Sequence, residues 1–281
     1  MSRLSTLRFV IALLVLFLGA VTPVLAQDRN EPGIPLEVLE GRLRVGGDKI
    51  RFCLNSASTL LAFDRAVAAE LAASLLLEAD FYELQSPGRT VPYDFRLHLS
   101  RPELYVEMTN NCDALVGFVA SPAGFPDWLT ITRPYYTSRF VLAATGQDLA
   151  DLSDLPGGAS IGTRLGSSGD IALVSYRGLL ASETGWSRRP YADNGTLVEA
   201  LLNGSAEAIY IWEPALYRAL DGDPASKDIS QLAHPFSSPE IALSIAVWRD
   251  DTYLRDLLDQ AIEAAMSAGL IDKLRQMQGL P

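Results

Sequence analysis

The stretch LVEALLNGSAEAIYIWE, residues 197–213, decides the class of fold. Its first six residues have the apolar spacing of a short helix, and Asn194-Gly195-Thr196 before them offers capping groups. Gly204 is suited to ending that helix, because glycine readily adopts the left-handed conformation found at helix ends. Residues 206–212 then form an apolar run with the length of a buried strand. The stretch therefore predicts a helix followed at once by a strand.

The same alternation of strand and helix extends over most of the chain. Further strands are predicted at 43–54, 81–84, 95–99, 112–119, 138–144, 160–163, 189–191 and 241–247. Further helices are predicted at 60–77, 101–109, 170–181 and 252–277, the last with a break near Gly269, and 87–92 is predicted as a loop. Alternation of this kind is typical of α/β folds, in which helices connect parallel strands.

Composition and charge limit the class of protein. The chain has 281 residues, of which 48% are hydrophobic and 20% charged, so it has enough apolar side chains to fold as one large domain or two smaller ones. Its net charge of −11 would repel a phosphate backbone. Nucleic acid is therefore not expected as a partner.

The first 26 residues have the pattern of an export signal. Arg3 and Arg8 precede an apolar run at 9–20, and Val24-Leu25-Ala26 has the small residues of a cleavage site. We expect cleavage near Ala26, a flexible lead-in at 27–42 and a soluble exported product with a net charge of −13. The alternative, a retained membrane anchor, is less favoured because the run is shorter than the roughly 20 residues that span a bilayer. No later stretch is suited to stable membrane insertion.

The expected export bears on the oxidation state of the two cysteines. In an oxidising compartment an isolated pair more often forms a disulfide than stays free, and Cys53 and Cys112 each flank an apolar run predicted as a strand of one sheet. We therefore favour a disulfide, with two buried thiols as the alternative. A metal site is not expected, because His98 and His234 are not at ligand spacing from either cysteine.

Four local strings, in this order, resemble the family 3 periplasmic solute-binding proteins, the two-lobed receptors of ABC transporters for amino acids and related solutes. They are Cys112-Asp113-Ala114-Leu115-Val116-Gly117, Thr132-Arg133-Pro134-Tyr135-Tyr136, Ile161-Gly162-Thr163-Arg164-Leu165-Gly166-Ser167-Ser168 and the opening stretch 197–213. The tail from Ala246 to Asp250, followed by a long helix, is similar to that family's return to its first lobe.

The resemblance implies a type II, two-lobed periplasmic-binding-protein fold with the ligand cleft between the lobes. The first lobe would comprise 43–138 and 243–281, and the second 139–242. The function implied is capture of a small polar solute, amino-acid-like or an organic acid, for an ABC permease. Clefts of this kind, at strand ends and between lobes, are where α/β folds bind small molecules.

A second likeness concerns a branch of this fold associated with quinoprotein alcohol dehydrogenases. It rests on Pro122-Ala123-Gly124, on Ile211-Trp212-Glu213-Pro214, on the ending Gly279-Leu280-Pro281 and on the two cysteines. The alternative function that it implies is an accessory protein of a periplasmic, PQQ-dependent dehydrogenase. The chain lacks the Pro-rich stretch that this branch usually has after the first strand, since Asn55-Ser56-Ala57-Ser58 stands there.

Two departures from the family concern the ligand charges. Amino-acid receptors hold the ligand carboxylate with an Arg after the strand that corresponds to 113–119, and residues 120–125 here contain none. They hold the ligand ammonium with an acidic residue after the strand that corresponds to 208–211, where this chain has Trp212 and then Glu213. Glu213 could serve an amine if the register differs by one.

The candidate ligand-binding residues lie in loops after predicted strands. Ser167, Ser168 and Gly169 precede a helix and could donate to an anion, or could simply cap that helix. Arg164 could pair with a carboxylate or be a surface residue. Trp212 could form a cleft wall or be buried between helix and sheet. Asn55, Ser56 and Ser121 are included for their position alone, whereas Arg133 is expected to be structural and Tyr135 and Tyr136 to lie at the hinge.

No catalytic chemistry is indicated. The chain has no G-x-S-x-G elbow, no P-loop and no H-E-x-x-H motif, and its two histidines form no triad. Carboxylates are plentiful, but the sequence singles out no pair for hydrolysis. We expect a protein that is not an enzyme and has no cofactor.

Overall fold

The computed structural model describes residues 48–85, 99–119, 125–146, 148–179, 185–238 and 240–281. Several sequence predictions lie outside these residues: the signal peptide at 1–26, the lead-in at 27–42, the loop at 87–92, nearly all of the strand at 95–99, and Ser121. They remain predictions.

The described residues form eleven strands and seven α-helices. The strands are β1 (Lys49–Asn55), β2 (Glu78–Leu84), β3 (Ala114–Val119), β4 (Leu129–Ile131), β5 (Tyr136–Ser138), β6 (Phe140–Thr145), β7 (Ala159–Arg164), β8 (Trp186–Tyr191), β9 (Ala208–Trp212), β10 (Ile229–Leu232) and β11 (Ile241–Trp248). The helices are α1 (Leu61–Ser74), α2 (Arg101–Asn111), α3 (Ser168–Leu179), α4 (Asn194–Leu202), α5 (Glu213–Leu220), α6 (Thr252–Ser267) and α7 (Leu270–Met277). Short 3-10 helices occur at Leu152–Asp154 and Pro224–Lys227.

The strands form two sheets in which the strands occupy corresponding positions. In the first sheet the order is β2-β1-β3-β11-β4, with β5 also paired to β11, and in the second it is β8-β7-β9-β6-β10. In each sheet the first three strands are parallel, and the fourth is antiparallel to its neighbours. The predicted α/β class, with a sheet in each half, is thus observed.

Helices cover these sheets because their apolar residues recur at helical spacing. In α1 the buried side chains include Phe63, Val67, Ala68 and Leu71, which lie on one face. In α6 the corresponding residues are Leu254, Leu258, Ala261, Ile262 and Ala265. The break predicted near Gly269 is confirmed, because α6 ends at Ser267 and Gly269 has a positive φ of 69° before α7.

The chain passes from one sheet to the other twice. The first passage is the segment 132–139, here called the first crossing segment, in which only Arg139 separates β5 from β6. The second lies between β10 and β11. The start of β11 pairs with β5, with Ile241 opposite Ser138 and Leu243 opposite Tyr136. Both passages therefore run side by side.

The predicted disulfide is confirmed. Cys53 in β1 is bonded to Cys112, the residue that follows α2, with 5.4 Å between their Cα atoms. The bond joins β1 to the start of β3, its neighbour in the sheet. Both cysteines are buried.

Some predicted boundaries were wrong. The strand expected at 138–144 corresponds to β6, which begins only at Phe140, and Ser138 instead ends β5, because the chain crosses between the sheets at Arg139. Besides the 3-10 helices, four elements were not predicted: β4, β5 and β10, which are only three or four residues long, and α5, which begins directly after β9. Among the described helices, none has both the length and the apolar character needed to cross a membrane.

Candidate functional site

The candidate site is built from loops at the carboxyl ends of β1, β7 and β9. Parallel strands direct these ends to one edge of a sheet, where α/β folds bind small molecules. The two sheets approach each other there: Nε of Arg218, in the helix after β9, donates to the carbonyl oxygen of Thr59, in the loop after β1, at 3.5 Å. The helix after β9 in the second sheet thus contacts the loop after β1 in the first.

The loop after β1 is held by its own polar side chains. Asn55 is buried and its Oδ1 accepts a hydrogen bond from the Ala57 N–H at 3.1 Å. The Ser56 hydroxyl donates to the carbonyl oxygen of Leu84 at 2.7 Å, which ties the loop to the end of β2. Both predicted residues lie at this sheet edge, and their binding role stays a prediction.

Four of the predicted residues lie where β7 leads into α3: Arg164 ends the strand, Ser167 lies in the connecting loop, and Ser168 and Gly169 begin the helix. Arg164, the last residue of β7, is only 4% exposed. The Ser167 hydroxyl accepts the N–H of Asp170 at 3.0 Å, and the Ser167 carbonyl accepts the N–H of Ile171. Ser167 therefore caps α3, which is the structural alternative given above, while Ser168 opens the helix and is partly exposed.

Asp170, in the first turn of α3, holds this loop in place. Its carboxylate accepts hydrogen bonds from the Thr163 hydroxyl at 2.6 Å and the Gly166 N–H at 2.9 Å. Arg188 of β8 adds a bidentate ion pair through Nε at 2.6 Å and Nη2 at 2.8 Å. Burial alone would raise the pKa of Asp170, but these hydrogen bonds and the guanidinium charge outweigh burial and lower it. Asp170 is therefore ionised and fixes the shape of the loop.

Gly169 allows α3 to approach the sheet closely. A Cβ atom at this position would lie 2.6 Å from Cδ1 of Phe140 and 3.2 Å from Cδ1 of Tyr210. No larger residue fits without movement of these rings. The predicted site residue Gly169 is thus buried against β6 and β9, with a packing function that is visible in the structure.

Trp212 and Glu213 are both engaged within the protein. Trp212 is 1% exposed, and its indole N–H donates to the Ser138 hydroxyl at 2.7 Å. Trp212 is therefore buried, which is one of the two alternatives expected from the sequence. Its hydrogen bond links β9 to the first crossing segment. Oε1 of Glu213 accepts a hydrogen bond from Nε2 of Gln231 at 2.9 Å, and Oε2 lies 3.8 Å from Nε of Arg139.

Sequence reasoning missed Asp170, Arg188 and Arg218. A signal for Asp170 existed, since an acidic residue three positions after a serine is a common helix-start pattern. No local signal marks Arg188 or Arg218, because their partners Asp170 and Thr59 are brought to them by the fold. Over the described ranges, no group of three or more His, Cys, Asp or Glu side chains is arranged to hold a metal ion.

Comparison with known proteins gives relatives in structure only. Neither a protein-family model nor a curated protein sequence matches the chain. An ancestral cationic amino acid solute-binding protein, AncCDT-1, is 16% identical, with a TM-score of 0.63 over 83% of this chain and 96% of that one. The second substrate-binding domain of a putative amino acid ABC transporter from Streptococcus pneumoniae is 17% identical, with a TM-score of 0.62 over 83% and 100% of the two chains.

A third solved structure is the amino acid ABC transporter substrate-binding protein AbpA from Streptococcus pneumoniae, bound to L-arginine. It is 19% identical, with a TM-score of 0.52 over 83% of this chain and 94% of that one. At these identities the similarity shows the fold alone. The chain has the two-lobed fold of the periplasmic binding proteins.

Proposed function

We propose that this chain is a solute-binding protein that takes up a small polar solute between its two lobes and presents it to an ABC permease. The observation that carries the proposal is the pair of sheets with corresponding strand orders, joined by two adjacent passages of the chain, in which Arg218 of the helix after β9 contacts Thr59 of the loop after β1. Solved proteins of the same fold are described as amino acid binders. Closure of the lobes on the solute is the expected motion.

The proposal extends to location and organisation. The first lobe would be 43–138 with 243–281, and the second 139–242. The mature chain would begin near Gln27 and act in the periplasm without enzymatic activity or cofactor. Amino-terminal sequencing of protein recovered from the periplasm checks the cleavage, and a start at Met1 would contradict it.

The proposed ligand contacts are Asn55, Ser56, Ser121, Arg164, Ser167, Ser168, Gly169, Trp212 and Glu213. Within this set, the Glu213 carboxylate already accepts a hydrogen bond from Gln231 and lies near Arg139, so an ammonium group would have to share it with them. Organic acids without an amine therefore belong in any ligand screen beside the amino acids. A ligand that binds only the folded protein raises its melting temperature, so a thermal-shift screen of both classes is the first test.

The site is tested by Ser168→Ala with Ser175→Ala as the matched control. Ser168 opens α3 at the strand-end edge, whereas Ser175 is exposed further along the same helix. One lost hydrogen bond weakens binding by roughly two- to tenfold, measured by calorimetry with a solute from the screen. Equal affinities of the two variants would remove Ser168 from the site, and a screen without any stabilising solute would argue against the receptor function itself.

A second function, accessory protein of a periplasmic quinoprotein dehydrogenase, is favoured by one observation. Ser167, Trp212 and Glu213 of the candidate cleft all have partners within the chain. Native mass spectrometry of the protein isolated gently from its own periplasm separates the two functions. A retained mass of a few hundred daltons supports the receptor, and a co-isolated dehydrogenase subunit supports the accessory protein.

A further inference from the structure

A buried carboxyl group holds the first crossing segment to helix α1. Asp64 lies in the first turn of α1 and is 2% exposed. Its Oδ1 accepts a hydrogen bond of 2.6 Å from the phenol of Tyr135, which belongs to the first crossing segment and is equally buried. The Tyr135 N–H donates to the carbonyl oxygen of Leu243 at 2.9 Å, so this residue also joins the crossing segment to β11.

The surroundings of Asp64 are apolar and closely packed. The ring of Phe63 lies 6.1 Å from that of Tyr135 and 5.3 Å from that of Tyr136. A Cβ atom at Gly117 of β3, where φ is +76°, would lie 2.8 Å from Oδ2 of Asp64. An ionised carboxylate without water or a counter-charge is costly in such a place.

The ionisable groups around this pair supply no cation in contact with Asp64 among the described residues. Arg65, next along α1, is turned to Glu83 of β2. Burial raises the pKa of the neighbouring Tyr136. Glu213 and Tyr217 of α5 and Asp64 also raise this pKa, whereas Arg275 of α7 lowers it. Burial raises the pKa of Asp64 to about 7, and the hydrogen bond from Tyr135 opposes that rise.

We propose that Asp64 and Tyr135 form a proton-dependent clasp on the first crossing segment. With its proton bound, Asp64 is neutral and the segment stays packed on α1. When the proton is lost to solvent, conformations in which water reaches the carboxylate and the segment separates from α1 become more populated. The clasp would make the connection between the two sheets responsive to pH, which is a property beyond solute binding and independent of it.

The sign of the effect follows from linkage. The pKa of Asp64 is higher in the closed clasp than its ordinary value of 3.8, so the stabilisation is complete below about pH 4 and is lost as the pH rises to about 7. Above about pH 7 Asp64 is ionised in both the closed and the open clasp, so the opening constant no longer changes with pH. Between these limits the opening constant should increase by up to about tenfold per pH unit if opening fully hydrates Asp64.

Hydrogen exchange of the Tyr135 amide, followed by mass spectrometry of peptides that contain it, tests the clasp. After correction for intrinsic exchange rates, we expect opening of the wild-type chain to increase from pH 5.5 to 7 and to level off above. Asp64→Asn should remove this dependence of opening on pH. Tyr135→Phe removes the hydrogen bond that favours ionised Asp64, so opening should become independent of pH only at a higher pH than in the wild type.

Asp259→Asn is the matched control. Asp259 also binds the first crossing segment, through the N–H and guanidinium of Arg133, but these bonds and that charge outweigh burial and lower its pKa. Asp259→Asn should loosen the first crossing segment, but its opening should still increase with pH as in the wild type. His234→Gln should leave this dependence on pH unchanged as well. Should Asp64→Asn fail to fold, carbon-13 titration of the wild-type aspartate carboxyls gives the answer. An Asp64 resonance that titrates near pH 4, or a dependence of opening on pH retained in Asp64→Asn, overturns the clasp.

Discussion

Two glycines in helix α3 have different surroundings at the scale of single residues. Gly169 lies against Phe140 and Tyr210, whereas an added Cβ at Gly178 would meet, among the described residues, no atom within 4 Å beyond its own stretch of helix. The first is needed for close packing of the helix start on the second sheet. The second only lowers the helix propensity of an exposed position.

These surroundings predict opposite effects of one substitution. Gly169→Ala should lower the free energy of unfolding by about 1–3 kcal/mol, because its methyl group overlaps the Phe140 ring. Gly178→Ala should raise it by up to about 1 kcal/mol through helix propensity. Urea unfolding of both variants measures the difference, and a Gly169→Ala protein as stable as the wild type would show that α3 moves freely on the sheet.

The residue scale also shows where sequence reasoning reaches its limit. Export and the strand pattern together predicted the Cys53–Cys112 bond, which the structure contains. Asp64 and Tyr135 are 71 positions apart, and neither stands in a local motif that marks it as half of a pair. Their contact depends on how α1, β3 and the crossing segment pack, which periodicity does not encode.

Among the elements, those with long apolar patterns were predicted best. Helices α1 and α6 have five or more buried positions at helical spacing, which is the strongest signal in a sequence, and β3 begins with three buried residues in succession. Strands β4 and β10 are too short to show a period. The loops after β1 and β7 follow strand ends as predicted, and their binding role stays a prediction; their hydrogen bonds depend on Arg188 and Leu84, which belong to other strands.

At this scale the disulfide gives a prediction. It links β1 to the start of β3 across 59 positions of sequence, so it restricts the unfolded chain. Replacing both cysteines by serine should lower the free energy of unfolding by about 4 kcal/mol in the chain-entropy model. Calorimetry of the variant, and of wild type with and without reductant, measures the loss. A melting temperature unchanged by reduction would show that the bond adds nothing to stability.

The whole molecule, from residue 48 onward, is one compact unit. Buried side chains of both sheets belong to one continuous apolar cluster, and the crossing strand β5 is paired to β11 of the first sheet. The two halves are therefore coupled through core and backbone, although each has its own sheet.

We expect this coupling to give one cooperative unfolding transition. Far-ultraviolet and near-ultraviolet circular dichroism should follow the same thermal curve, and the calorimetric enthalpy should equal the van't Hoff enthalpy. Two resolved transitions would show instead that each half unfolds by itself. Oxidised protein should be used, because reduction changes the connection between β1 and β3.

The position of β11 has a consequence for the order of synthesis. This strand lies between β3 and β4, yet the ribosome makes it after the other ten strands of the described residues. Until residue 248 has emerged, the facing edges of β3 and β4 have no partner in their sheet, and an open edge of that kind attracts other chains. The first sheet therefore stays incomplete until the chain that follows the whole second half is available to it, and a chain cut short before Ile241 would keep an open edge that favours aggregation.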